Sequence, residues 1–262
     1  MSHLLSLPPG ISFLLISAIA LLVVLTGLQI VRKKYHHELL KEHHEVAAII
    51  FNAFGLLYAV VVAFVVFVVW SRYDDAAKNL ELEANSTIDL FYVSKAFPDS
   101  INKPMRQALS EYANSIVEEE FDLMTKGEKS QKTSEALRKV SNLFINMDIK
   151  SLPNVPAYSE SFKVFNEMAQ YRRLRLFAGK NSIPSVIWIV LLVGALITVT
   201  YTYFFGMRKV LPQTLMTSAL TITITLILFL IFILDHPYTG STTVNTEPMT
   251  SVAESMNKGL NK

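Results

Sequence analysis

Residues 47–70 read AAIIFNAFGLLYAVVVAFVVFVVW, and residues 71–98 continue as SRYDDAAKNLELEANSTIDLFYVSKAFP. The first part is 24 residues long, without a charge and with one strongly polar side chain, Asn52. At ~1.5 Å rise per residue, such a run crosses a ~30 Å hydrocarbon core. No Gly or Pro lies between Trp70 and Pro98, so nothing stops the helix as it turns polar. There Tyr73, Ala77, Leu80, Ala84, Ile88 and Phe91 recur at spacings of three and four, the mark of an amphipathic helix. The stretch predicts one very long helix, half in lipid and half in water, with the rest of the chain packed around it.

Working outward, three more apolar blocks of spanning length occur at 11–31, 184–205 and 211–234. Hydrophobic residues make up 51% of the 262-residue chain, too apolar for an ordinary soluble domain. The predicted fold is an all-α integral membrane protein with four transmembrane helices and a helical soluble domain between helices two and three. Its parts are 1–46 (first helix and a basic, His-rich loop), 47–70 (second helix), 71–183 (soluble domain), 184–234 (hairpin of helices three and four) and 235–262 (C-terminal tail). The first block lacks a basic lead-in and an A-x-A-like cleavage site, so it reads as a retained helix rather than a signal peptide. The absence of cysteine excludes disulfides and thiolate metal sites. A net charge of +2 gives no reason to expect a nucleic-acid partner.

The region 71–183 is charge-balanced, with 16 Lys/Arg against 16 Asp/Glu. Three helices are expected in it. Pro104 opens the first, with the stripe Met105, Leu109, Tyr112, Ile116 and Phe121; Ser134 caps the second, with Leu137, Val140, Phe144 and Met147. The third starts near Ser159 and carries Phe162, Phe165, Met168, Tyr171 and Leu174. A tight turn, Gly206-Met207-Arg208-Lys209, joins helices three and four. Disorder is expected from about Thr250 onward.

Within the apolar spans, Asn52, Gly55, Ala59 and Ala63 share a narrow sector of helix two at 100° per residue. Small residues on one face serve close helix packing, or they form a pore wall when several copies surround an axis. On helix four, Thr214, Thr217, Ser218, Thr221 and Thr225 share a face. Their hydroxyls either bond back to the preceding turn and to Thr198, Tyr201 and Thr202 of helix three, or line a hydrated path. No Asp, Glu, Lys or Arg falls within any of the four blocks, which argues against a proton relay or an ion-coupled transporter.

His36, His37, His43 and His44 read as a solvated polar loop, with metal binding or a pH response as the alternative. There is no Gly-rich phosphate loop, no G-x-S-x-G and no H-E-x-x-H, so no enzyme is expected. Glu118, Glu119 and Glu120 read as a solvated carboxylate run. Arg172, Arg173 and Arg175 read as structural, meeting acidic residues of the domain or lipid phosphates.

The segments GLLYAVVVAFVV (55–66), YRRLRL (171–176) followed by IPSVIW (183–188), FGMRK (205–209) and LDHPYTG (234–240) together resemble the bestrophin-like domain proteins, a bacterial family. More distantly, WSRYDD (70–75) and the turn Asp235-His236-Pro237-Tyr238-Thr239-Gly240 are similar to segments of the bestrophin ion channels. That resemblance implies a pentamer with the pore along helix two. It makes Asn52, Gly55, Tyr58, Ala59, Ala63 and Val66 pore or helix-interface candidates, and Asp235, Pro237, Tyr238 and Gly240 the family turn. It also implies that both termini and the soluble domain lie on the cytoplasmic side of a bacterial inner membrane, although the positive-inside rule leans the other way. The turn is followed by STTVNT, with no carboxylate before Glu247, so no calcium clasp and no other cofactor or metal is expected.

The combined reading is a homo-oligomeric, pentameric ion channel, its partners being its own copies, the bilayer and an ion of unassigned identity. The rival reading is a non-conducting membrane scaffold or sensor.

Overall fold

The computed structural model describes residues 8–35, 44–152, 154–205, 207–240 and 243–260. In chain order these form α1 (Pro9–Lys34), α2 (His44–Val93), α3 (Asp99–Ser115), a π-helical turn (Ile116–Glu120), α4 (Phe121–Met124), α5 (Gln131–Ile145), α6 (Val155–Lys180), α7 (Ser185–Tyr201), α8 (Val210–Leu234) and α9 (Glu247–Leu260). The architecture is all-α, and four of the helices are long and apolar enough to cross a membrane. The 50-residue α2 runs unbroken through the junction at Trp70, with neither Gly nor Pro from there to its end at Val93. A 3₁₀ turn, Ser94–Ala96, ends it ahead of Pro98.

The chain divides into two compact units. The first holds residues 1–71, 182–235 and 240–242, and so contains α1, the apolar part of α2, α7 and α8. Here α8 packs along α1, with Phe13 and Phe229 ring centroids 5.8 Å apart. Leu28, Val199 and Tyr203 form a small buried cluster, and the Tyr203 hydroxyl donates to Val24 O at 2.9 Å. The four spans bury little of themselves within one chain, between 11% and 28% of each apolar window. Such faces require lipid or other copies around them.

The second unit holds residues 72–181, 236–239 and 243–262. Its core joins Leu80, Ala84 and Phe91 of α2 with Met105, Leu109, Tyr112 and Ile116, Val140 and Phe144 of α5, and Phe165 and Met168 of α6. The apolar stripes expected from the sequence thus face one core, although several boundaries differ. The first helix begins at Asp99, and Pro104 lies inside it. The ring removes one helical hydrogen bond there, a loss offset by the fully buried residues that follow. Ser130, not Ser134, caps α5 by accepting the Thr133 N–H. Asn154 caps α6 through the Ala157 N–H, so Pro156 falls in the first turn, where its missing N–H costs nothing.

The largest correction concerns the C-terminus. Residues expected to be disordered from Thr250 form most of α9, whose Met249, Val252, Ala253 and Met256 are buried in the core. Their spacing of three, one and three is one face of a helix. Ser110 and Asn114 bond the Asn257 side chain, and Arg106 donates to Gly259 O at 2.8 Å, closing the helix end.

Candidate functional site

On α2 the expected small-residue face stands largely uncovered. Asn52, Ala59 and Ala63 are exposed, Gly55 and Val66 are half-buried, and a Cβ added at Gly55 would meet nothing within 4 Å. Tyr58 points elsewhere: its hydroxyl donates to Leu191 O on α7 at 2.9 Å, and its ring lies against Gly194. Val62 and Val69, the buried members of this segment, share that packed side with Tyr58. The pore-or-interface candidates therefore divide into one residue that docks α2 on its own unit and five on the face beside it.

On α8, Thr217, Thr221 and Thr225 are buried while Thr214 and Ser218 are half-buried. The Thr221 hydroxyl donates to Thr217 O at 2.7 Å, and Thr217 meets Thr202 of the hairpin at 3.1 Å between hydroxyl oxygens. Thr198 likewise donates to Gly194 O at 2.7 Å. These hydroxyls have carbonyl or hydroxyl partners inside the unit, the arrangement a polar side chain needs when water is excluded.

Below the sequence's notice sat Gln213, 3% exposed. Its amide nitrogen donates to Thr202 O at 3.2 Å and Phe205 O at 3.1 Å, two carbonyls of the turn that follows α7. Its side-chain oxygen accepts from Arg32, whose guanidinium also donates to Met207 O at 3.1 Å. One buried amide thus ties the hairpin turn to the end of α1. Gly206 of that turn, and His36, His37 and His43, lie outside the described residues, as does the side chain of His44. Among the described residues, no group of three or more His, Asp or Glu side chains is placed to hold a metal ion.

The family turn divides its work. Asp235 accepts the Ile183 N–H at 2.8 Å and so fixes the chain as it enters α7. Tyr238 is buried, and its hydroxyl donates to Ala76 O of α2 at 2.9 Å. Pro237 O accepts from the Val244 N–H at 2.8 Å. Gly240 turns the chain at φ +95°, a conformation that L side chains rarely adopt. Burial pushes the Tyr238 hydroxyl far above its ordinary pKa, keeping it a donor.

The core of the second unit holds an ion-pair cluster. Arg175, with no exposure, donates from Nε to Glu83 Oε2 at 2.6 Å and from Nη2 to Glu120 Oε2 at 2.7 Å. Arg172 Nη2 donates to Glu120 Oε1 at 2.5 Å and to Ser134 Oγ at 3.1 Å. Tyr112 closes the group with a 2.6 Å bond to Glu83 Oε1. Two guanidiniums and two carboxylates make the cluster neutral, as burial demands. Burial pushes the Arg175 pKa down, but Glu83 and then Glu120 more than offset it, so the group is held well above its ordinary value. Burial, reinforced by the Glu83 charge, holds the Tyr112 phenol well above its own.

Glu120 corrects the expectation of a solvated run. Glu120 ends the π-helical turn, four residues after the buried Ile116, and is itself buried, while Glu118 pairs with Lys132 at the surface at 3.0 Å. Arg172 and Arg175 take the structural role expected of them, with acidic residues of the domain as partners, and Arg173 is exposed. Glu83 escaped notice, though a signal existed. It falls on the buried face of Ala76, Leu80, Thr87 and Leu90, where a carboxylate demands a partner.

The Bestrophin-like domain family model matches residues 14–249. Among solved structures, a bacterial bestrophin homolog from Klebsiella pneumoniae superposes with TM-score 0.70 at 12% identity, covering 93% of this chain and 96% of that one. A point variant of the Klebsiella pneumoniae homolog gives TM-score 0.72 at 12% identity, covering 93% and 98%. At that identity the likeness is one of fold. No curated protein matches the sequence significantly.

Proposed function

The chain belongs to the Bestrophin-like domain family, and from that premise we propose that it is a homo-oligomeric ion channel, a pentamer with its pore along α2. The observation that carries this reading is the uncovered face of Asn52, Gly55, Ala59 and Ala63 beside the packed side marked by Tyr58. A carboxamide at hydrocarbon depth facing lipid leaves its polar atoms without partners, whereas around a hydrated axis water satisfies them. Small side chains allow helices to approach an axis closely while leaving a central path open. Val66 continues the same face toward the polar half of α2. In this reading the protein sits in the bacterial inner membrane, with residues 71–183 on the cytoplasmic side. The permeating ion is left unassigned, because selectivity is set by the ring's radius and exposed groups.

Subunit count and symmetry from particle images of the detergent-purified protein test the proposal, followed by ion flux from liposomes. A closed ring of five with α2 at the axis and measurable flux is the expected result. A monomer, or a two-fold dimer with this α2 face turned to lipid, would overturn it and favour a non-conducting scaffold or sensor.

A further inference from the structure

We propose that the end of the first unit formed by the α1 C-terminus and the α7–α8 turn is a binding site for the headgroup of an anionic phospholipid. The last turn of α1 carries Arg32, Lys33 and Lys34, and the turn before α8 carries Arg208 and Lys209. Arg32 bonds Met207 O at 3.1 Å and the buried Gln213, which brings the two basic segments to one place. Arg32 is committed to that bridge. Lys33, Lys34, Arg208 and Lys209 are exposed, and none makes an ion pair among the described residues.

Residues 8–35 and 184–234 contain five Lys/Arg and no Asp or Glu, so their positive charge is uncompensated within these helices. The connection that follows α1 carries Lys41 with Glu38, Glu42 and Glu45. The helix dipole explains only half of the pattern. Cations are favoured at the C-terminus of α1 but disfavoured at the N-terminus of α8, where Arg208 and Lys209 stand. A negative group at headgroup depth, between the two basic segments, would offset that cost. Because these residues close apolar spans, the site rests on the membrane-spanning reading, which sets the cations at headgroup depth. Exposed Tyr35 and Phe204 beside them suit the same interfacial layer. A lipid phosphate is the anion concentrated there, and Lys and Arg at headgroup depth attract it by direct charge pairing.

The test uses the full-length protein in neutral detergent, with bound lipid counted by native mass spectrometry during titration with phosphatidylglycerol or phosphatidylcholine. Wild type should hold phosphatidylglycerol at least about tenfold more tightly, with affinity falling about fivefold per cation removed. The variants Lys33→Gln/Lys34→Gln and Arg208→Gln/Lys209→Gln should each lose about 25-fold, while Arg208→Lys/Lys209→Arg should keep the preference. All retain Arg32 and its bridge, and a melting curve confirms each fold. Should either neutralised pair misfold, 1 M salt on wild type supplies the same reading, since it should erase the preference. Equal affinity for both lipids, neutralised variants that bind like wild type, or displacement by equimolar inorganic phosphate would each overturn the proposal.

Discussion

Tyr58 and Gly194 are matched across two apolar helices: the ring of one occupies the space where the other has no side chain. The Tyr58 hydroxyl completes the fit by donating to Leu191 O, one turn before Gly194. In hydrocarbon no solvation force holds helices together, so close packing and buried hydrogen bonds must do so. Gly194→Ala places a methyl group inside the Tyr58 ring, and a cost of about 1–3 kcal/mol follows from overpacking. Thermal melting in detergent should show it, and Tyr58→Ala in the same chain should relieve the clash. Equal melting of Gly194→Ala and wild type would count against this account.

Gly55 should behave in the opposite way. A Cβ there meets nothing within 4 Å, so Gly55→Leu is expected to leave the melting temperature of a single subunit nearly unchanged. If α2 surrounds an axis, the same substitution should alter liposome flux or disturb assembly. Unaltered flux and assembly would separate this face from any pore.

Removal of Arg175 should damage the second unit severely. Arg175→Met leaves Glu83 without its guanidinium and strips Glu120 of one of two, and uncompensated buried charge costs about 3–5 kcal/mol. Arg173→Met, two residues away and exposed, should stay within about 0.5 kcal/mol. Comparable losses from the two variants, read by chemical denaturation, would contradict the buried cluster.

Alkaline pH should unfasten the same core. Tyr112 and Tyr238 have pKa values raised by burial, so the folded state holds their protons more tightly than the unfolded chain. The stability they contribute is fully present below the unfolded tyrosine value of about 10 and is lost progressively as pH rises above it. Melting temperature against pH should decline above about 10, more shallowly in Tyr112→Phe. Identical slopes in variant and wild type would remove Tyr112 from the explanation.

The terminal helix should contribute to stability rather than trail from the fold. Met256 is fully buried, and Met256→Ala should cost about 2–5 kcal/mol. Protease cleavage after residue 246 ought to be slow in wild type and fast in that variant. Rapid cleavage in wild type would restore the expectation of a loose tail.

The four spans, the unbroken α2 and the apolar stripes of the second unit were legible because each depends on length and period along one segment. Twenty or more uncharged residues can satisfy their backbone in lipid only as a helix. Spacings of three and four declare a buried face whatever it packs against. The partners of polar residues were not legible. Glu83 and Arg175 are 92 positions apart, and Arg32 and Gln213 are 181 apart. Whether Glu120 faced water or the core turned on Arg172 and Arg175, 52 and 55 positions away. Whether residues 247–260 stayed loose turned on a core that other segments build. Local sequence determines which backbone conformation costs least and which faces must be buried. Pairing two charges or seating a terminal helix depends on surfaces that exist only once distant segments have met, so tertiary structure alone decided them.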